Sequence, residues 1–570
     1  MAHKVIKLRD YQQASIDALV DYFMHNDGNP LVVLPTGAGK SHVIAAFVKL
    51  VMGYPNQRVM MLTHVKELIE QNYLKLMEHW EFAPAGVYSA GLKSRDKHDD
   101  IIFAGIQSVH KKAFEFGRFD LIVIDECHLI SPNANTMYRR FIDDQKRINP
   151  YLKLVGLTAT PFRTSSGDIT TSEGALFDAI AYEKPMIELI NEGYLSPLVS
   201  KRTVTEIDLS GVHSRGGEFI NKELQAATDK EAITQAAVQE IIGYGRDRKA
   251  WLIFCAGVDH AIHVKDELVA NGITAAVVTG NTPNLEREQI LNDYKSGAIR
   301  AISNCDVLTT GFDAPNTDLI ALLRGTQSPG LYVQMVGRGT RLAENKANCL
   351  VLDFAGNVMR HGPVDQVRPW TPSKHQKGEA PSKVCNNTLE NGVVCNTIAA
   401  ASAKKCAVCG FEFPFETKPA HEASSNNSAI MSTESLIATV EVSGAFFNLH
   451  YKRDADPEIN PPTLRVTYLS GIRSHHKEWV AIFHNGFAKN KAVSWWAKFV
   501  PGVPFPEFSK WTSYEDRFDQ ISLVLKEHYK KPKALIVNES GKYPTIVNYI
   551  LETNEQNESD HDRAGESQAA

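Results

Sequence analysis

Short runs of branched apolar residues alternate along this chain with longer segments whose apolar positions recur every three to four residues. Residues 31–34, 58–63, 101–103, 119–128 and 154–163 read as strands, and most are apolar on both faces. That continuous apolarity, rather than a period of two, marks strands covered on both sides. Helical periodicity fills the intervals, beginning near Leu8 and again over 66–79. A second alternating run starts near Lys249, with strands at 251–255, 274–278 and 300–303 and helices at 260–270 and 287–295. Two such runs predict two tandem parallel-sheet α/β domains.

After residue 365 the pattern changes. Residues 365–382 are rich in Pro, Lys and Ser and read as a linker, and four cysteines then fall between 385 and 409. A second polar linker, 417–434, precedes an aromatic, β-rich stretch with strands at 464–468 and 479–483. The expected division is an ATP-binding domain over 1–190, a connector over 191–230 and a second α/β domain over 231–365. A small cysteine module over 383–416, the linker 417–434, a mixed β-rich domain over 435–550 and a disordered acidic tail over 551–570 complete it.

Composition narrows the function classes. At 570 residues the chain exceeds what one core supports, in line with several domains. A net charge of −5 gives no global sign of a polyanion partner, so any basic surface must be local. One local excess exists: residues 471–550 carry twelve Lys and Arg against seven Asp and Glu. Trp495, Trp496 and Trp511 interleave with it, either to stack on single-stranded bases or to fill a small core. No apolar stretch is long enough to span a bilayer and the first residues lack a signal-peptide core, which argues against a membrane partner. With four cysteines scattered through apolar segments, the expected compartment is the reducing cytoplasm.

The candidate chemistry begins at 31–41, where an apolar strand runs into Pro-Thr-Gly-Ala-Gly-Lys-Ser and then a helix. Gly37 and Gly39 let backbone N–H groups approach a phosphate, and the helix N-terminus favours its charge. Lys40 reaches the β- and γ-phosphates and the Ser41 hydroxyl ligates Mg²⁺. Thr36 completes the loop, although Leu34 stands where such loops carry their first glycine. Upstream, Arg9 and Gln12 are candidates for contacting adenine, since one amide satisfies a donor and an acceptor together. The strand over 119–128 carries Asp125 and Glu126 at its carboxyl end, where open parallel sheets place ligands. Asp125 is the expected Mg²⁺ ligand and Glu126 the base that orients the attacking water. In the second run, Gln334, Arg338 and Arg341 share one face if 332–342 is helical, which predicts two arginines entering a cleft.

These blocks, in this order, resemble the core of the superfamily 2 helicases over residues 1–365. They are Arg9-Asp-Tyr-Gln12, the loop ending at Ser41, Thr63-His-Val-Lys-Glu-Leu68, Asp125-Glu-Cys-His128, Thr158-Ala-Thr160, Thr309-Thr-Gly-Phe-Asp313 and Gln334-x-x-Gly-Arg-x-x-Arg341. Val-Lys-Glu-Leu at 65–68, Ala-Gly-Leu-Lys at 90–93 and Val-Leu-Thr-Thr-Gly-Phe-Asp-Ala-Pro are similar to the bacterial RadD-type repair helicases, whose cysteine segment is longer than this one. The resemblance implies two RecA-like domains that clamp ATP and Mg²⁺, with Arg338 and Arg341 as arginine fingers. It also implies that His128, Thr158 and Thr160 couple nucleotide state to nucleic-acid grip. Thr63, Gln107, Thr309 and Thr310, with Gly311 and Asp313, would serve the nucleic acid itself.

Cys385, Cys395, Cys406 and Cys409 suit tetrahedral Zn²⁺, the last pair as Cys-x-x-Cys-Gly, against a redox pair or unbridged thiols. The first pair is widely spaced and requires a long hairpin between its members. The expected function is an ATP-dependent DNA helicase or translocase of recombination and repair, on single-stranded or branched DNA. Single-strand-binding or recombinase proteins are its expected partners. An RNA helicase, a restriction-system motor subunit, and an ATP-gated accessory protein with little unwinding of its own are the alternatives.

Overall fold

A computed structural model describes residues 6–367 apart from 132, 134, 164–166, 173 and 310. It further describes 382–389, 394–400, 405–406, 408–413, 430–431, and 437–551 apart from 453–455, 458–459, 471–473, 509–512 and 539–543. The expected tail and most of both linkers lie outside the described residues. The chain divides into two compact units, one built on residues up to 342 with 348–434, the other on 343–347 with the chain from 435.

The first unit holds two eight-stranded sheets. The strands of the first are β1 (Pro30–Val33), β2 (Val59–Thr63), β3 (Ala85–Ser89), β4 (Ser94–Arg95), β5 (Ile101–Gly105), β6 (Leu121–Asp125), β7 (Lys153–Thr158) and β8 (Ala179–Glu183). Their order is β8-β1-β7-β6-β2-β5-β3-β4, parallel except for the short β3–β4 pair. Helices α1 (Asp10–His25), α2 (Lys40–Val51), α3 (Lys66–His79) and α4 (Met137–Ile148) belong to the same body. Every residue of β1, β2, β5 and β6 is buried, as their unbroken apolar runs require. Packing is tight enough on β7 to demand glycine: a Cβ at Gly156 would meet the Phe177 ring at 2.7 Å and Cys127 Sγ at 2.8 Å.

The second sheet is formed by β9 (Leu198–Lys201), β10 (Trp251–Cys255), β11 (Ala275–Val278), β12 (Ala301–Asn304), β13 (Leu319–Leu323), β14 (Cys349–Asp353), β15 (Ser382–Val384) and β16 (Thr397–Ala400). Its order is β11-β12-β10-β13-β14-β9-β16-β15. The first six are parallel neighbours, while β16 pairs antiparallel with β9 and β15 with β16. Helices α5 (Val258–Ala270), α6 (Asn284–Ser296) and α7 (Pro329–Gly337) complete the alternation. Thus β9, from the stretch read as a connector, and the strands flanking the first two cysteines extend this sheet. With two apolar residues in β9 and one in β15, the rest polar, both were hard to read as sheet members. No helix among the described residues is long and apolar enough to cross a membrane.

The second unit contains two three-stranded antiparallel sheets. One has the order β17 (Ile437–Glu441), β21 (Ala534–Asn538), β22 (Thr545–Ile550). The other has the order β18 (Gly444–His450), β19 (Thr463–Ser470), β20 (Ser474–Val480). Helices α8 (Gly486–Phe499) and α9 (Tyr514–His528) supply the remaining core. Trp495 and Trp496 are 7% and 2% exposed, packed with Phe499 and Tyr468. Trp495 donates to Glu478 Oε1 at 2.8 Å and Trp496 to the Val503 carbonyl at 3.0 Å. The stacking role open to them from sequence is therefore overturned by burial, and Trp511 lies outside the described residues. Truncation of so large a buried side chain costs roughly 3–5 kcal/mol. Trp496→Ala should accordingly lower the unfolding midpoint of this unit sharply; an unchanged melt would return Trp496 to the surface.

Candidate functional site

At the carboxyl end of β1 the chain turns through 35–39 into α2. Leu34 is fully buried, and its N–H continues the β1–β7 ladder by donating to the Thr158 carbonyl at 3.0 Å. Strand pairing therefore explains why an apolar residue replaces the usual first glycine. Gly37 and Gly39 have φ of +87° and +79°, a region costly to other residues. At Gly39 a Cβ would also stand 2.7 Å from Gln12 Nε2. Gln12 accepts from the Arg9 N–H and donates to the Ala38 carbonyl, both at 3.0 Å, which ties α1 to the loop. One amide N–H and one oxygen lone pair remain, the complement of the N7 and N6 edge of adenine. Arg9 lies over the Tyr194 ring at 5.2 Å. Nothing near Tyr194 in the sequence marked it, yet it lines the same cavity of about 410 Å³ as Gln12, Lys40, Ser41, Asp125, Glu126, Arg338 and Arg341.

Asp125 ends β6, and Glu126 follows with φ +51°, a strained backbone for a non-glycine residue that re-aims its side chain. Asp125 is 2% exposed and its Oδ2 accepts from Asn72 Nδ2 on α3 at 3.1 Å. Burial and the adjacent Glu126 charge push the Asp125 carboxyl above the ordinary range. Burial also pushes Glu126 up, but Lys40, His128 and Arg338 together outweigh it and hold Glu126 below its usual value. Lys40 Nζ lies 3.6 Å from Glu126 Oε1. His128 Nδ1 is 2.8 Å from Thr158 Oγ1 and 3.4 Å from Glu126 Oε2, and burial depresses this imidazole to about 4. On its other side, Nε2 is 3.5 Å from Gln334 Nε2 in the second domain. Thr158 Oγ1 in turn donates to the Thr160 carbonyl at 3.1 Å. Asn72 was not legible as part of the site, because an asparagine on a polar helix face carries no signal until the fold turns it inward.

The second wall comes from α7 and the residues after it. The expectation that Gln334, Arg338 and Arg341 share one helical face is corrected here: α7 stops at Gly337, 338–340 is a 3₁₀ turn and Arg341 is extended. The break coincides with contact across the cleft. A Cβ at Gly337 would meet Thr36 Cβ at 2.6 Å, and Thr340 Oγ1 donates to the Thr36 carbonyl at 3.0 Å. Arg338 and Arg341 line the cavity and Gln334 meets His128, but Arg338 is braced by its own domain. It donates to the carbonyls of Thr309 at 3.1 Å and Phe312 at 2.7 Å. Arg341 donates to the Phe312 carbonyl at 2.6 Å and pairs with Asp313 at 3.1 Å. Burial lowers both guanidinium values. Gly311 has φ +69°, and a Cβ there would meet Glu67 Cβ of α3 at 2.5 Å. Arg287 reaches Glu67 at 3.7 Å and Lys66 donates to Asn284 at 3.2 Å, so α3 touches the second domain at three places.

The residues expected at the nucleic acid are less uniform. Thr63 is fully buried, Thr309 is 8% exposed, and Thr310 lies outside the described residues. Gln107 is exposed and donates to the His64 carbonyl at 3.0 Å. Geometry does bring the four cysteines together, with their Sγ atoms all within 4.8 Å of one another. Cys385 and Cys409 are 3.5 Å apart and Cys395 and Cys406 3.8 Å. Four thiolates about 2.3 Å from a tetrahedral Zn²⁺ stand about 3.8 Å apart, so the donor set fits that ion.

Residues 5–163 match the family described as type III restriction enzyme, res subunit, and residues 234–343 match the helicase conserved C-terminal domain. Among relatives, IRC3 of Saccharomyces cerevisiae, named as an ATP-dependent helicase, is 28% identical over 361 residues, 61% of this chain and 51% of that protein. The type I restriction enzyme EcoAI endonuclease subunit of Escherichia coli is 26% identical, over 61% of this chain and 46% of its own length. XPB2 of Sulfurisphaera tokodaii, named as a DNA 3'-5' translocase, is 23% identical over 60% of this chain and 80% of its own. The chain thus spans about half the length of the first two. The two family matches fall on the two α/β domains that bracket the cleft, and this chain is similar there to ATP-dependent helicases and restriction-enzyme subunits.

Proposed function

We propose that this protein is an ATP-driven DNA translocase or helicase acting in recombination and repair. The observation that supports it most directly is the single cavity lined by the phosphate loop, both carboxylates and both arginines. Gly37, Gly39 and Lys40 hold the phosphates, while Gln12 and Arg9 with Tyr194 hold the base. Ser41 and Asp125 are the residues that fit Mg²⁺, which supplies charge neutralisation on the phosphates when bound. Glu126, kept ionised chiefly by Lys40 with Arg338, orients the attacking water. Arg338 and Arg341 stabilise charge as the γ-phosphoryl leaves. The His128–Gln334 contact carries the state of Glu126 across the cleft, and Thr309, Gly311 and Asp313 carry it to the loop that Arg338 braces. DNA is favoured over RNA by the named activity of the translocase XPB2 and by the likeness of the motif phrases to RadD-type repair proteins. Recombinase or single-strand-binding proteins are the partners this reading calls for, and eight unbridged cysteines suit a reducing cytoplasm. The test of the whole reading is phosphate release with single-stranded DNA, forked DNA and RNA; stimulation by RNA alone would overturn the DNA assignment.

Lys40→Ala and Glu126→Gln should both abolish turnover but differ in binding. The first removes a phosphate contact and should weaken a fluorescent ATP analogue. The second loses about 10²–10⁴ in kcat with affinity nearly intact, the usual scale for a positioned base. Equal loss of affinity in both would remove Glu126 from the role of base.

Arg341→Ala should lower kcat by about 10³-fold with little change in nucleotide affinity, since finger contacts are made in the transition state. Arg338→Ala should add a loss of DNA stimulation, because the 309–312 loop loses its brace. A kcat unchanged in either variant would exclude that residue as a finger.

Zinc in the cysteine cluster should appear as about one metal per purified chain. Cys409→Ser should release it, and hydrogen exchange should quicken at 382–400 and at its sheet neighbour β9. Metal-free wild-type protein would end the zinc assignment, and metal loss without faster exchange at β9 would separate the metal from the sheet edge.

A further inference from the structure

The three-stranded sheet β18-β19-β20 has one face in the core and one in solvent. Leu464, Val466 and Tyr468 of β19 are fully buried and pack with Ala445, Phe447 and Leu449 of β18. Alternation therefore turns Phe446, Asn448 and His450, with Thr463, Arg465 and Thr467, to the other side. Registration aligns them in rows: Phe446 opposite Thr467 opposite Lys477, and Asn448 opposite Arg465 opposite Trp479. Phe446 is 57% and Trp479 54% exposed, whereas other large aromatics of this unit, including both tryptophans of α8, fill its core. The His450 ring meets Trp479 edge-on at 5.9 Å. Arg465 stands between Asn448 and Trp479, and its Nε–H is buried with no hydrogen-bond partner among the described residues. None of the residues in these rows is acidic. The one carboxylate of β20, Glu478, points the other way, accepting from Trp495, Tyr468 and Tyr549.

We infer that this face binds single-stranded nucleic acid, with bases stacked on Phe446 and Trp479 and phosphates held by Arg465 and Lys477. Two exposed aromatic rings on adjacent rows of a sheet give platforms that any base can use, whatever its identity. The cations beside them match the backbone charge, and the missing acidic residues remove the repulsion an ordinary protein surface would present. An apolar partner would have to desolvate Arg465 and Lys477. The inference goes beyond the motor cleft and rests on the motor reading only in taking nucleic acid as the ligand.

The test uses the full chain without nucleotide, titrated with oligothymidylate and with oligouridylate while tryptophan emission and oligonucleotide anisotropy are followed. Wild-type emission should be quenched on binding. Trp479→Phe should abolish most of that quench with affinity within a few-fold, because phenylalanine still stacks. Phe446→Ala/Trp479→Ala should weaken binding by about 10- to 100-fold, the loss expected when stacked rings are removed. Lys477→Glu, which leaves the rings in place and guards against misfolding of the double variant, should lower the salt slope of log affinity by about one phosphate contact or more. An unchanged quench in Trp479→Phe would overturn the inference. So would unchanged affinity in a double variant whose thermal melt matches wild type, or no quench with either oligonucleotide, the result expected of a protein-docking face. Quench with DNA but not RNA, or the reverse, would name the polymer. If quench occurs while ATP turnover ignores nucleic acid, the motor reading fails and this face stands.

Discussion

Close approach of the turn 337–340 to the phosphate loop is the constraint on which the first unit depends. Gly337 has room for no side chain against Thr36, and Thr340 hydrogen-bonds the Thr36 carbonyl. Gly37, in turn, would bring a Cβ within 3.0 Å of Thr340 Oγ1 and 3.3 Å of Arg341 Cγ. Bare glycine backbone meets short threonine side chains here, so the distance between the sheets has little slack. A side chain at Gly337 would wedge the cleft open by more than a hydrogen bond tolerates, and both arginines would retreat from Glu126 together. The glycines of the two motifs are thus complementary surfaces as well as flexible joints.

Helix α3 supplies the second link. Its N-terminal turn meets the second domain through Lys66, Glu67 and the bare backbone of Gly311, and one and a half turns later Asn72 holds Asp125. The loop that carries Gly311 also offers the carbonyls that brace Arg338 and Arg341. Asp125, α3, the 311–312 loop and the arginines are therefore linked by a chain of short contacts. A shift of the second domain moves Glu67, and the rigid helix passes that shift to the hydrogen bond on Asp125. Buried asparagine suits this place: burial already raises the Asp125 carboxyl, and the amide donor opposes that rise without adding a second charge.

Strand and helix placement in the two α/β domains was legible because their strands are buried on both faces and their helices are not. Residues 66–79 and 251–255 are helix and strand to the residue. The phosphate loop, the carboxylates and the arginines were legible too, since each needs a particular residue type beside a recognisable turn. What escaped notice was whatever only the fold assembles. Tyr194 and Asn72 look like surface residues in sequence, β9 lies in a polar connector, and the break after Gly337 hides in a stretch with good helical spacing. The tryptophans of α8 were readable either way, as a stacking surface or as core. Trp495 and Trp496 sit among basic residues and suggested stacking, yet adjacent positions on a helix can both be buried when the helix is packed on two sides. Trp479, on a strand with strict alternation, is the one described tryptophan of this unit turned to solvent.

The cysteine segment completes the account of how the second sheet is anchored. β16 begins two residues after Cys395 and pairs antiparallel with β9, Ser200 opposite Ile398. The Arg202 N–H donates to the Asn396 carbonyl at 2.9 Å, and Tyr244 donates to the Arg202 carbonyl at 2.8 Å. Just before β9, the Ser196 N–H donates to the Thr340 carbonyl at 2.6 Å, in the turn that docks on Thr36. A run of a few residues therefore joins the cysteine cluster to the phosphate loop through backbone hydrogen bonds and the Thr340 hydroxyl. So short a segment has little core of its own, and a tetrahedral ion would supply most of the energy that keeps its hairpins formed. β9 is paired on both sides, parallel with β14 and antiparallel with β16, so loss of β16 would leave it an edge strand. Order among the cysteines is thereby tied to the rigidity of Ser196, and through Thr340 to the spacing of the cleft.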